Sequence, residues 1–538
     1  MSDREIISAL KYVSRFREAF MLSELADYVT GKVSTGHIYD VAGPLLYDLG
    51  LKAQPQDGDY RVERLPEAAR LVLTGEEKER QEAFFRAPVV PEKLEGLIEA
   101  YVEKKTTGKQ WDDPMVLGRI RKAVIGLKDA YWKEGKARKI HYGTGYSVLG
   151  YLAYQFPVYF AQFEHILYGL AREGLLKRRM KVLDAGTGPG VVPLAIVDFL
   201  DRLDSGEAVI HSIEMYEENI EAYNDLVPEY AAAEGRVKIE KPVKADLLDM
   251  PAIPDNLDLI VFSNVLNEVR APLYKKADLV AGMAKNLAAG GSLIIIEPAD
   301  RDNSMAMREL VRALLDHDLG IYSPCTFIWC LQCQAEACWS FDEKADVRPT
   351  RLMKKLADTE EPFRFTNTDI KFSYAILRKD QLTKEKYRVP PGAKFARMSK
   401  LKDHVGKRIN VVASKMSGDL GDRKDHVFKV CDGTGASPVY AILPNYNIVP
   451  GNEALMSAGY GEVLEFRSIL VRRNEEYGSY NLMIGKSTSV IPAGQPLPEE
   501  NHEAPEEPER PAEPARPKGR KEIGKKQVRP GAKAAKKR

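Results

Sequence analysis

The sequence predicts an α/β protein: a parallel sheet wound by helices, preceded by a winged helix and a helical segment and followed by a small β-barrel. Three observations predict it. Apolar runs of strand length alternate with helical stretches from residue 181 to about 385. A glycine-rich turn, Asp184-Ala185-Gly186-Thr187-Gly188-Pro189-Gly190, joins the first of those strands to the first of those helices. Four of the five cysteines crowd into the 14 residues from Cys325 to Cys338, after the fifth strand.

The chain of 538 residues has room for three or four domains, and its 44% hydrophobic content is ordinary for packed cores. No run of 18 or more apolar residues occurs, and no charged-then-apolar leader opens the chain, so a soluble, cytoplasmic protein is expected. The net charge of +1 favours neither polyanions nor acidic partners. Charge is instead segregated at the end: Glu499 to Glu513 holds seven acids, and Arg516 to Arg538 holds eleven Lys or Arg with one acid.

Residues 1–66 read as a winged-helix-like module. Ile6, Leu10, Val13 and Phe20 recur at helical spacing, Leu22 to Val29 suggests a second short helix, and a third is expected from Ile38 to Leu49, broken or kinked at Pro44. Gln54 to Val62 then reads as a hairpin turning at Asp57-Gly58. Such a module contacts nucleic acid or protein with equal ease. Residues 67–180 are mainly helical, with aromatics dense from Tyr142 to Phe163; a helix packed on the next domain is favoured there over a substrate platform.

Residues 181–385 hold the sheet, with strands expected at Lys181–Ala185, Ala208–Glu214, Val237–Glu240, Leu257–Ser263, Leu293–Glu297 and Phe372–Arg378. Residues 395–490 carry short runs rich in β-branched and aromatic residues (Arg408–Ala413, Val427–Cys431, Val439–Leu443, Val463–Val471), which suit a five-stranded barrel of the oligonucleotide-binding kind. Phe428, Tyr440, Tyr446 and Tyr480 are candidate stacking surfaces in it. Residues 491–538 are expected to be disordered.

The glycine turn carries the chemistry. Its Gly-x-Gly-x-Gly spacing departs from the dinucleotide fingerprint. With Asp184 in front it is similar to the first motif of S-adenosylmethionine (SAM)-dependent methyltransferases, which fits a Rossmann-like sheet. Glu214, at the end of the second strand, is positioned to accept from ribose hydroxyls, and Asp246, after the third, from the adenine amino group. Asn264, at the tip of the fourth strand, faces the sulfonium. The cofactor set is therefore Asp184, Gly186, Gly188, Gly190, Glu214, Asp246 and Asn264. Asn264-Val265-Leu266-Asn267-Glu268-Val269 lacks the Asn-Pro-Pro-aromatic signature of amino-group methyltransferases, and no nucleophilic cysteine sits there. No catalytic residue is identified. Methyl transfer needs mainly proximity and alignment, so activity is not thereby excluded.

Cys325-x4-Cys330-x2-Cys333-x4-Cys338 offers four soft ligands, suited to zinc or to an iron–sulfur cluster. Phe327, Trp329, Trp339 and Phe341 wrap the ligands in apolar rings, which leans toward iron–sulfur. The order of the glycine turn, Glu297-Pro298, Ser323-Pro324-Cys325, Ala337-Cys338-Trp339-Ser340-Phe341 and Lys371-Phe372-Ser373-Tyr374 resembles the methyltransferase-like protein 17 family over about residues 140 to 380. That resemblance implies a SAM-type fold, a 4Fe–4S cluster held by cysteines, and association with the small ribosomal subunit and its RNA during assembly. Cys325, Cys330 and Cys338 match the family's first three ligands. The family's fourth lies far downstream, and with no cysteine between Cys338 and Cys431, Cys333 is taken as the fourth here. The alternative is a SAM-dependent methyltransferase acting on tRNA, a protein or a small molecule, with structural zinc.

Overall fold

A computed structural model describes residues 2–17, 19–46, 49, 51–64, 70–132, 146–232, 235–331, 333 and 338–494. The charged runs of the tail and Tyr142 lie outside the described residues. The N-terminal module consists of α1 (Ser2–Phe16), β1 (Ala19–Met21), α2 (Thr35–Leu46), β2 (Leu51–Gln56) and β3 (Asp59–Arg64). Its strands pair in the order β1-β3-β2, and β2 and β3 turn at Asp57-Gly58, both at positive φ. Ile6, Leu10, Val13, Phe20, Leu22 and Leu25 form its core. Two local expectations are corrected. The second helix is a 3-10 segment, Leu22–Tyr28. The third runs on through Pro44 to Leu46 without the expected break, at the loss of the one hydrogen bond that a proline nitrogen cannot donate.

Five helices follow: α3 (Gly75–Arg86), α4 (Glu92–Lys105), α5 (Pro114–Trp132), α6 (Ser147–Tyr154) and α7 (Phe156–Arg172). Phe156, Phe160 and Phe163 of α7 are fully buried, so the aromatic density is mostly packing, as favoured.

The central sheet is built from β4 (Arg179–Ala185), α8 (Val191–Asp201), β5 (Glu207–Glu214), α9 (Glu217–Ala232), β6 (Val237–Ile239), β7 (Val243–Lys244), β8 (Leu257–Ser263), α10 (Leu273–Ala284), β9 (Leu287–Pro298), α11 (Arg301–Leu314), β10 (Gly320–Ser323), β11 (Asp342–Lys344), α12 (Arg351–Leu356) and β12 (Ile370–Arg378). The strands run in the order β10-β12-β9-β8-β4-β5-β6, with β7 also on β5 and β11 also on β12. Strands β4, β5, β6, β8 and β9 are parallel, whereas β12 enters antiparallel to β9, Ser373 opposite Glu297. Alternation decides which face each residue buries: Leu259 and Val261 of β8 join the core under α7 and α8, and Ile260 and Phe262 join the core under α10 and α11. The chain steps from β4 outward through β5 and β6, then returns to β8 on the other side of β4. That reversal opens a crevice at the carboxyl ends of β4 and β8.

The C-terminal barrel comprises β13 (Arg408–Lys415), β14 (Asp425–Cys431), β15 (Val439–Pro444), α13 (Ala454–Ser457), β16 (Val463–Asn474), β17 (Ser479–Met483) and β18 (Ser489–Pro492). Five of these close as β13-β14-β15-β17-β16-β13, with β15 and β17 parallel and β18 added along β16. The expected barrel is present. The two strands that escaped sequence reading, β17 and β18, are only five and four residues long.

Candidate cofactor cleft and cysteine cavity

The crevice at the strand tips is a cavity of about 1120 Å³. Gly186, Gly188, Glu214, Asp246 and Asn264, five of the seven cofactor residues named from sequence, line it. The glycines have separate reasons for being glycine. A Cβ on Gly186 would stand 2.3 Å from Val265 Cγ2, and one on Gly190 would stand 2.2 Å from Val227 Cγ2, so both are packing positions. A Cβ on Gly188 would meet nothing within 4 Å. Gly188 is therefore where the loop presents bare backbone to open space, the condition a close-lying ligand requires.

Glu214 is buried and held by main-chain donors: Gly188 N at 2.8 Å, Met215 N at 3.0 Å and Tyr216 N at 2.8 Å. Burial raises its carboxyl, and those N–H groups pull it back toward the charged form. The glycine loop and the acid thus fix each other. Asp246 caps the short turn Leu247–Asp249, accepting from Leu248 N at 2.9 Å. Asp184 does not line the cavity; it is 1% exposed beneath the loop, and neither oxygen has a hydrogen-bond partner among the described residues. Burial pushes its carboxyl up to about 7, with the nearby Thr187 hydroxyl lowering it and the Glu214 charge raising it.

The loop after β8 forms the remaining wall. Asn264 sits at φ +55, in the left-handed region that asparagine tolerates. Beneath it Glu297 accepts from Asn267 N at 3.2 Å, and burial pushes its carboxyl up to about 8. Neither Asn267 nor the buried state of Glu297 was legible beforehand. A carboxylate closing a strand is ordinarily solvated, whereas Glu297 pairs with Ser373 of β12 and is bonded by the loop after β8.

The cysteines lie in the loop between β10 and β11. Cys325, Cys333 and Cys338 line a second, smaller cavity together with Arg308 of α11, while Cys330 is exposed. Among the described residues no three His, Cys, Asp or Glu side chains stand in a geometry that would hold a metal ion. The barrel covers the loop: Trp329 Nε1 donates to Asp432 at 3.0 Å, Thr326 bonds Ser414 at 2.6 Å, and Lys429 Nζ donates to Trp339 O and stands 3.8 Å from Cys338 Sγ. The sequence-remote Cys431, at the end of β14, does not line that cavity but is close enough to feel the charge of Cys338. Burial and then the Cys338 charge raise its thiol. For Cys338 burial acts upward, but Lys429 and Arg308 outweigh it and hold the thiol below the usual range.

Arg308 is 3% exposed and bonds only hydroxyls, those of Ser340, Ser373 and Tyr460, with Nη1 unpartnered among the described residues. A buried guanidinium without a carboxylate demands an anion. Cys325 and Cys338, which line the same cavity, are groups that can carry such a charge as thiolates.

The barrel's candidate stacking aromatics divide. Phe428 is buried in the barrel core, Tyr480 packs against that core under Arg473, Tyr440 is partly buried, and Tyr446 is 76% exposed. Only Tyr446 stands as a free ring. No helix of the described residues is long and apolar enough to cross a membrane.

A family model described as mitochondrial small ribosomal subunit Rsm22 matches residues 145–426. Two domains of unknown function, the N- and C-terminal parts of one type, match residues 3–63 and 399–493. No curated protein matches the chain. Solved structures that are similar include a TehB-like SAM-dependent methyltransferase from Corynebacterium glutamicum (18% identity, 31% of this chain and 85% of that one, TM-score 0.22). Others are the magnesium protoporphyrin IX methyltransferase of Synechocystis with bound SAH (12%, 49% and 98%, 0.27) and a SAM-dependent methyltransferase from Methanosarcina mazei (14%, 40% and 97%, 0.25).

Proposed function

The chain belongs to the Rsm22 family, described as mitochondrial small ribosomal subunit proteins, and from that membership we propose that it is a SAM-binding, methyltransferase-like protein acting on the small ribosomal subunit and its RNA. The observation that carries the cofactor reading is the bare backbone of Gly188 facing open space beside the buried, backbone-held Glu214. Glu214 would take the ribose hydroxyls and Asp246 the adenine amino group. Asp184, under the loop, would orient the amino-acid end through Thr187 and the loop backbone. Bound SAM supplies an electrophilic methyl group on a sulfonium. Calorimetry with S-adenosylhomocysteine tests this: micromolar binding lost in Glu214→Ala is expected, and no binding to the wild type would refute it.

The cysteine cavity is read as a 4Fe–4S site. Cys325 and Cys338 would hold it together with Cys431 of the barrel, and Cys330 or Cys333 would complete the set. The buried Arg308, lacking a carboxylate, favours an anionic cluster over four neutral thiols. Anaerobic purification with iron, sulfide and zinc analysis is expected to find iron and sulfide, reduced in Cys431→Ser. One equivalent of zinc without iron would exclude the cluster. Retention on 30S particles at low salt, absent with unrelated RNA, is the expected sign of the ribosomal role.

A further inference from the structure

The cavity at the strand tips is larger than one cofactor needs. Its 1120 Å³ lies at the upper edge of what single-ligand sites span, roughly 300–1,000 Å³. Sheet order splits it: Glu214 and Asp246 stand on the β5 side of the glycine loop, and the loop after β8 stands on the other. That second side carries orphaned polar atoms. Asn264 is 8% exposed; its Nδ2 donates to Ser263 at 3.3 Å, which leaves Oδ1 as an acceptor with no partner. Asn267 has neither Oδ1 nor Nδ2 bonded among the described residues. Buried polar atoms left unpaired are destabilising, so a carboxamide pair held this way is a pre-formed recognition surface. Its inventory is two acceptors and one donor group. Both asparagines line the cavity, and Asn264 holds its place there with a left-handed backbone.

We propose that this side is an acceptor subsite for a planar heterocycle with an exocyclic amino group beside a ring-nitrogen acceptor, the edge of an unpaired adenine or cytosine. The amino group's two hydrogens match the two carboxamide oxygens, and the ring nitrogen accepts from Asn267 Nδ2. Uracil sets a carbonyl where the site offers only acceptors and is disfavoured. Tyr151, which also lines the cavity, supplies a ring for stacking. A duplex base cannot reach such a wall, so the base comes from single-stranded or flipped nucleic acid. The subsite rests on the reading of the other side as the SAM site, and it names the substrate class that site serves.

Fluorescein-labelled uridine hexanucleotides, unmodified or with one central adenosine or cytidine, test it by anisotropy against the full chain saturated with S-adenosylhomocysteine. Backbone charge is equal in the three probes, so non-specific attraction cancels. The amino-bearing probes are expected to bind roughly tenfold tighter than the uridine probe. Asn267→Ala breaks no protein hydrogen bond of that side chain and is expected to erase the preference while leaving S-adenosylhomocysteine affinity unchanged. Equal binding of the three probes by wild type, or a preference that survives Asn267→Ala, overturns the subsite alone. Failure of S-adenosylhomocysteine itself to bind overturns the cofactor reading and the subsite with it.

Discussion

Gly186 and Gly188 are two residues apart in one loop, yet they answer to different constraints. Gly186→Ala drives a methyl into Val265 at positive φ and is expected to destabilise the fold by about 1–3 kcal/mol, read by urea unfolding. Gly188→Ala meets no protein atom, so the backbone penalty stays near 1 kcal/mol. Its methyl instead occupies ligand space, and S-adenosylhomocysteine affinity is expected to fall roughly tenfold. Calorimetry on both variants separates the two roles; equal affinity loss with equal destabilisation would contradict this division. Glu297 is the residue with a pH signature. The folded state keeps its proton up to about pH 8, whereas the unfolded chain releases it in the ordinary carboxylate range. Folding therefore takes up a proton between those values, and stability falls as pH rises through that window. Asp184, pushed up to about 7, acts in the same direction. Glu297→Gln should melt with wild type at low pH and above it at about pH 9; identical melting at both would show that Glu297 is already charged.

At the scale of elements, the decisive contact is the seam between α11 and the barrel. Arg308 of α11 donates to Tyr460 at 2.7 Å, and Tyr460 in turn bonds Ser340 at 3.1 Å. Tyr460→Phe removes both bonds inside a buried network, and a loss of about 1–3 kcal/mol is expected in denaturant unfolding. Strand β14 is the second decisive element. Phe428 points into the barrel core, whereas Lys429 reaches the cysteine loop and Cys431 flanks Cys338. The period of two along that strand was readable beforehand. Which face would meet solvent was not, because alternation says that a strand has two sides and nothing about what covers each.

Over the whole molecule, residues Met1–Gln495 form one compact unit. The N-terminal module is tied to the body in part by Lys11 Nζ donating to Lys379 O at 3.2 Å. The barrel covers the cysteine loop, so it is not a dispensable appendage. Ending the chain at residue 394 removes Lys429, Cys431 and Tyr460 together, and under the proposed 4Fe–4S assignment the shortened protein is expected to hold less iron than the full chain; equal iron in the two would show that the barrel contributes no ligand. Deleting residues 496–538 should leave thermal unfolding unchanged. The same deletion removes the eleven basic residues of the last segment, and if the protein binds ribosomal RNA as proposed, it should flatten the salt dependence of that binding.

What the sequence determined by itself is what local periodicity and covalent chemistry encode. The alternation of strands and helices announced the parallel sheet, Asp184 to Gly190 marked its first turn, and the crowding of Cys325 to Cys338 put four thiols on one loop, three of which line one cavity. Five of the seven residues assigned to a cofactor from sequence line another, since the carboxyl ends of parallel strands converge whatever the loops do. Tertiary structure alone decided the rest. It brought Cys431 within reach of the Cys338 charge across 93 positions and, among the described residues, buried Arg308 against hydroxyls with no carboxylate and left Asn264 Oδ1 and both side-chain polar atoms of Asn267 unpaired at the cleft wall. Those facts depend on which surfaces meet, and a pattern along one chain carries no record of the partner that shields a side chain from water.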